Sequence, residues 1–216
     1  MKIYTGLDVF DAIAGGEMKS IDSLISGLLE EGISPEVLLN QWMIPAMDKV
    51  GVRFEKGELY VPEMLMSACT MQAGLKQIRP LLVESGVKPE GKILLATVKG
   101  DLHDIGKNLV GMMLEGAGYA IIDLGVNVGP EAIVEAVRTE QPDVLGLSAL
   151  LTTTMTTMQT IMDQITDAGL REKVKVVIGG APVNQAFADE IGADGFGRDA
   201  GQAVQVVRAL MKNGRG

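Results

Sequence analysis

The only histidine of this 216-residue chain lies in GDLHDIGKNLV, residues 100–110, between two aspartates and two glycines and directly after the apolar run KILLATV. Imidazole there is either a solvated loop side chain or a metal ligand. A zinc centre built by a protein takes three or four His, Cys or carboxylate ligands at suitable spacing. This chain has one histidine and one cysteine, Cys69, far apart in sequence, so a metal site built from its own side chains is nearly excluded. His103 can act alone only if the metal brings its other ligands with it, as the metal of a macrocycle does. A metal-bound imidazole usually donates its second N–H to a carboxylate, which fixes the tautomer and raises ligand basicity. Asp101, two residues earlier, is the candidate for that task, and Asp104 stands where an N-cap for the next helix belongs.

The elements that must position these residues follow from periodicity. After VKPEG, the short β-rich runs KILLATV, YAIID, DVLGLS, VKVVIGG and ADGFG are each followed by a loop and a helical pattern. Strands that alternate with helices pair in parallel through crossover connections, which predicts a five-stranded, doubly wound, flavodoxin-like α/β domain. With strand order 2-1-3-4-5, the ligand crevice opens at the carboxyl ends of strands 1 and 3, where the winding reverses. His103 is thereby expected beside the hydroxyls of Ser148, Thr152, Thr153 and Thr154, with Gly179 and Gly180 ending strand 4 nearby. Familiar occupants of that crevice fail on residue type. A phosphoacceptor receiver wants an aspartate where Ser148 stands, a flavodoxin wants a hydroxyl-rich loop after strand 1, and dinucleotide binding wants GxGxxG there.

Residues 5 to about 86 carry a helical repeat instead. Met18, Ile21, Leu24, Ile25, Leu28 and Leu29 mark one helix face that Gly32 ends, and Ser34 with Pro35 supplies an N-cap and first-turn proline for the next helix. Pro45 should kink or break that third helix by removing a backbone donor. A fourth begins near Val61 and Pro62, which predicts an antiparallel four-helix bundle over residues 1–88 joined by VKPEG to the α/β domain over 89–216. Thirteen methionines, among them Met47, Met64, Met66 and Met71, read as flexible core filler or else as an adaptable surface for a large ligand or exchanging partners. Net charge is -9 with no Lys or Arg cluster able to follow a phosphate backbone, which argues against nucleic acid. No apolar run reaches the roughly 20 residues of a membrane span, and no secretory leader is evident, so a cytoplasmic address is expected.

Asp101-x-His103-x-x-Gly106, then Ser148-x-Leu150, then Gly179-Gly180, in that order on an α/β frame, resembles the signature of base-off, His-on cobalamin-binding domains. The resemblance implies that His103 replaces the cofactor's lower axial base on cobalt and that the displaced nucleotide tail enters the domain. It implies cofactor contacts from Gly100, Asp101, Leu102, His103, Asp104, Gly106, Ser148, Leu150, Thr152, Thr154, Gly179, Gly180 and Ala200, the glycines leaving room for the tail. It also implies a His103–Asp101–Thr154 relay able to hold the proton that moves when the histidine leaves and rejoins cobalt.

The preceding bundle resembles the cap of methyl-carrying relatives, including methionine synthase, rather than the catalytic barrel of adenosylcobalamin isomerases. GELYVPEMLMSACTMQ corresponds to the cap helix, with Tyr60, Met64 and Leu65 as candidates for the upper face. The function so implied is that of the corrinoid subunit of a three-component methyltransferase system, cycling between cobalt(I) and methylcobalamin. It is a carrier more than a stand-alone enzyme, served by a substrate-specific methyltransferase, a second methyltransferase and a reductive activase. Methylamines, methanol, glycine betaine and methoxylated aromatics are all open as donors. A cobalamin store or sensor, and a mutase subunit, are the competing readings.

Overall fold

The structure, a computed structural model, describes residues 4–213. Two compact units emerge, residues 1–89 with 112–118, and residues 90–111 with 119–216.

In the first unit, helices α1 (Gly6–Gly15) and α2 (Met18–Glu30) pack on each other and on α5 (Val61–Glu84). Between α2 and α5 the chain runs through a short α3 (Pro35–Val37), a π-helical stretch over Leu38–Met43 and α4 (Ile44–Glu55). Ser34 caps this run as expected, its hydroxyl accepting the Val37 N–H at 3.2 Å. Pro45 does not break the helix. A proline N removes one i→i−4 donor and its ring crowds the preceding carbonyl, and the wider π turn just before it absorbs both effects. α5 likewise continues through Pro80 to Glu84. Its start is fixed by Glu63, whose carboxylate accepts the Tyr60 N–H at 2.9 Å. Val9, Ile13, Ile21, Ile25, Leu38, Met43, Met47, Val50, Met64, Met71 and Ile78 are all buried, so most of these methionines are core, while Met66 is 45 % exposed.

The second unit holds one sheet in the order β2-β1-β3-β4-β5, with every neighbouring pair parallel. The strands are β1 (Lys92–Thr97), β2 (Ala120–Asp123), β3 (Val144–Ser148), β4 (Lys175–Gly179) and β5 (Gly195–Gly197). The helices are α6 (Ile105–Gly116), α7 (Pro130–Glu140), α8 (Thr152–Asp167), α9 (Gln185–Ile191) and α10 (Ala200–Asn213). Alternate strand residues, Leu94 and Ala96, Leu145 and Leu147, Val176 and Ile178, bury against Ile133, Val137, Met158, Ile161, Ile165 and Ala188 of α7, α8 and α9. Each fully buried aliphatic side chain of this kind contributes about 1.5–3 kcal/mol. α6 and α10 pack from other strand positions, where Gly111 meets Leu95 and Gly195 meets Val206.

Register decides what the carboxyl edge of the sheet presents. Thr97 pairs with Ser148, Ser148 with Gly179 and Gly179 with Gly197, so these four residues form one row across β1, β3, β4 and β5. The segments that leave this row carry Asp101 to His103, Leu150 and Leu151 with the first residues of α8, Gly180, and Ala200 at the start of α10.

Candidate functional site

β1 ends on Thr97, and the chain turns at Gly100, whose φ of 87° favours glycine, before entering α6. The turn drops Asp101 into the interior, where its side chain has no exposed surface. Five donors converge on that carboxylate. Oδ1 accepts the His103 backbone N–H at 3.1 Å and lies 2.7 Å from the His103 ring Nδ1. Oδ2 accepts the N–H groups of Leu150 and Leu151 at 2.7 and 3.2 Å and the Thr154 hydroxyl at 2.9 Å. Desolvation pushes the Asp101 carboxyl upward, but the Leu150 amide, the His103 imidazole and amide and the Thr154 hydroxyl together outweigh it. They hold the acid well below the usual carboxylate range.

An ionised Asp101 fixes the histidine. Nδ1 must carry the proton it donates, which leaves the Nε2 lone pair as the ring's ligand position. The His103 side chain is 53 % exposed, and its backbone carbonyl is tied down by the Thr97 hydroxyl at 2.9 Å. Around it stand exposed apolar residues, Leu102, Ile105, Leu150 and Leu151, of which Ile105 is 82 % exposed. Exposed side chains this apolar mark a surface suited to an apolar ligand face. A Cβ at Gly106 would meet nothing within 4 Å, so space is open there. Among the described residues no three His, Cys, Asp or Glu side chains gather to hold a metal ion. One outward imidazole nitrogen, an apolar surround and open space at Gly106 fit a metal that arrives in its own macrocycle. They do not fit a bare ion.

The structure thus brings Asp101, His103 and Thr154 into one hydrogen-bonded group, with Ser148 ending β3, Leu150 on the loop that follows and Thr152 starting α8. Asp104 directly precedes α6, its carboxylate accepting from the Asn108 side chain at 3.1 Å. Gly180 is glycine for an internal reason. Its φ is 129° and a Cβ would lie 1.8 Å from the Ala149 carbonyl oxygen, so its missing side chain makes room for the chain that follows β3. A Cβ at Gly179 would sit 3.1 Å from the Gly197 carbonyl. Ala200, at the start of α10, is 5 % exposed. Of the three cap candidates, Tyr60 and Leu65 are exposed at 73 and 40 %, whereas Met64 is fully buried, a core residue rather than a contact surface.

Several contributors had no local sequence signal. The Leu150 and Leu151 amides are backbone groups, which residue identity does not announce. Thr97 ends a strand, and Ile105 and Leu151 read as helix-start and loop residues. The buried Lys107 pairs with Asp123 at the end of β2.

Residues 91–205 match the family model described as B12 binding domain, and residues 8–79 match a second model of the same description. The chain belongs to the B12-binding family. It is 40 % identical over 188 residues to trimethylamine corrinoid protein 2 of Methanosarcina mazei, covering 86 % of each chain. It is 36 % identical to a corrinoid protein of Desulfitobacterium hafniense, covering 93 % of this chain and 94 % of that one. Among solved structures, a cobalamin-binding protein from Desulfitobacterium hafniense aligns with TM-score 0.80 at 30 % identity over 96 % of this chain and 99 % of that one. The methanol:cobalamin methyltransferase complex MtaBC from Methanosarcina barkeri aligns with TM-score 0.81 at 30 % identity, covering 97 and 81 %. This B12-binding protein takes a cobalamin or related corrinoid. Among the described residues, no helix is long and apolar enough to cross a membrane.

Proposed function

We propose that the protein is the methyl-carrying corrinoid subunit of a methyltransferase system, with His103 as the lower ligand of cobalt in a base-off, His-on arrangement. The observation that carries this reading is the ionised Asp101 holding a half-exposed imidazole by Nδ1, which leaves Nε2 as a metal ligand with no protein-built site around it. The names of relatives matched over most of their length, trimethylamine and dimethylamine corrinoid proteins, support the carrier role.

When bound, the corrinoid supplies the cobalt centre that takes up and gives away the methyl group; the protein supplies ligation and orientation. Asp101 fixes the imidazole tautomer, and the Leu150 and Leu151 amides and Thr154 fix Asp101. The Thr154 hydroxyl has one proton and two acceptors, Asp101 Oδ2 at 2.9 Å and the Leu151 carbonyl at 2.8 Å. Were the histidine to detach from cobalt, Asp101 would go on holding the Nδ1 edge of the ring. The relay expected to hold the proton of that step would comprise His103, Asp101 and Thr154, with five donors favouring the Asp101 anion.

The methyl donor would be chosen by a substrate-specific methyltransferase, with a methylamine favoured by the relatives' names. A second methyltransferase would pass the group to a thiol or tetrahydrofolate-type acceptor, and a reductive activase would rescue oxidised cobalt. A cytoplasmic site in anaerobic one-carbon metabolism accords with this reading. Visible spectra of the protein reconstituted with methylcobalamin, beside His103→Ala, test the ligand. Conversion of a His-on spectrum into one lacking the histidine is expected, and identical spectra would remove His103 from cobalt. Demethylation of the loaded protein by a partner methyltransferase then separates a carrier from a cobalamin store, sensor or mutase subunit.

A further inference from the structure

The histidine loop is gripped from a third side by the turn after β2. Asn127 has a φ of 55°, a left-handed conformation in which Asn is several-fold enriched among non-glycine residues. From there its side-chain Oδ1 accepts the Gly100 N–H at 2.8 Å, and its own N–H donates to the Asp101 carbonyl at 2.9 Å. The same turn is anchored at both ends. Asp123 accepts the Gly125 N–H at 2.8 Å and pairs with the buried Lys107 of α6. The Gly125 carbonyl accepts the Thr97 N–H at 2.9 Å, and the Val128 N–H donates to the Thr97 carbonyl at 3.0 Å. Thr97 in turn holds the His103 carbonyl. The segment from Gly100 to His103 is therefore fixed at its start by Asn127 and at its end by Thr97, both governed by the turn over residues 123–128.

We propose that Asn127 is a positioning residue for His103, setting the backbone of Gly100 and Asp101 so that the imidazole returns to the same place each time it is released. This rests on the reading of His103 as the cobalt ligand. Asp101 can aim the ring only if its own backbone is fixed, and the two hydrogen bonds from Asn127 are what fix it on the β2 side. Asparagine suits the position because it combines a side-chain acceptor with tolerance of the left-handed region. Glycine keeps the second property and loses the first. Aspartate keeps both.

The test compares wild type, Asn127→Gly, Asn127→Asp and His103→Ala, each as the full chain reconstituted with methylcobalamin at one pH. The His-on fraction is read from the visible spectrum. Asn127→Gly should weaken histidine ligation on the order of 10-fold, at the lower end of what loss of a ligand's supporting partner costs, and Asn127→Asp should stay with the wild type. A second readout needs no cofactor. Because His103 is the only histidine, its ring signals in the nuclear magnetic resonance spectrum of the cofactor-free protein are unambiguous. In wild type and Asn127→Asp the Nδ1 proton held by Asp101 should be slow to exchange, and in Asn127→Gly that protection should be lost. A His103→Ala spectrum equal to wild type would overturn the ligand reading beneath the proposal. A His103→Ala spectrum that changes, with Asn127→Gly matching wild type in both readouts, would overturn the role of Asn127 alone. Should Asn127→Gly fail to fold, Asn127→Ser, whose shorter side chain cannot keep the acceptor in place, takes its position in both readouts.

Discussion

Five donors around Asp101 favour its ionised form. Its folded-state acidity lies below that of an ordinary carboxylate of about 3.8, so the stability it contributes is fully present above that value. It is lost as pH falls through the folded value. Acid unfolding of wild type should therefore steepen below about pH 4 relative to Asp101→Asn, whose amide does not titrate. Parallel denaturation midpoints for the two proteins across that range would contradict it. In Asp101→Asn the amide nitrogen brings donors into a space already holding five, so one edge must lose its bonds. Histidine ligation should weaken about 10- to 100-fold, read as the His-on fraction of the reconstituted protein. Thr154→Val should do less, because the Leu150 and Leu151 amides still hold Oδ2. His103 and Asp101 were legible as a pair because their chemistry is written in residue type and spacing. The amides were not, because any residue at 150 or 151 carries one, and Asn127 stands in another loop, 26 residues beyond Asp101.

At the scale of elements, the row Thr97, Ser148, Gly179 and Gly197 shows why the site is assembled from distant segments: parallel register brings four strand ends level. Gly180 holds two of the resulting loops together. Gly180→Ala places a methyl group on the Ala149 carbonyl and forces alanine to a φ of 129°, a conformation that alone costs about 1–3 kcal/mol. Loss of at least about 3 kcal/mol of unfolding free energy is expected, measured by chemical denaturation, and a variant within 1 kcal/mol of wild type would refute the backbone collision. The five strands and their order were legible from β-rich runs broken by helical patterns, since parallel pairing and right-handed crossovers leave few alternatives. The passage of α4 and α5 through Pro45 and Pro80 was not, because a proline's local cost is visible in sequence while the π turn and the packing that offset it are tertiary.

For the whole molecule, the change of repeat at VKPEG marks where helices give way to strands, but compactness is drawn along another line. Residues 112–118, the last part of α6 and the turn after it, cluster with residues 1–89. There Glu115 accepts from Gln72 at 3.0 Å and pairs with Arg79, and the Met47 side chain closes on Gly116, where a Cβ would meet its Cγ at 3.0 Å. A helical repeat shows that α6 exists without showing which residues its later turns pack on. The helix that begins at the histidine loop thus ends in the first unit, and a fragment starting at residue 90 would strip its last two turns of these partners. Helices of this length depend on tertiary packing for most of their stability. Hydrogen exchange should accordingly show amides 113–117 exchanging on the order of 100-fold faster in such a fragment than in the full chain, while β1 and β3 stay protected. Equal protection of 113–117 in both would mean that these residues do not need their partners in residues 1–89.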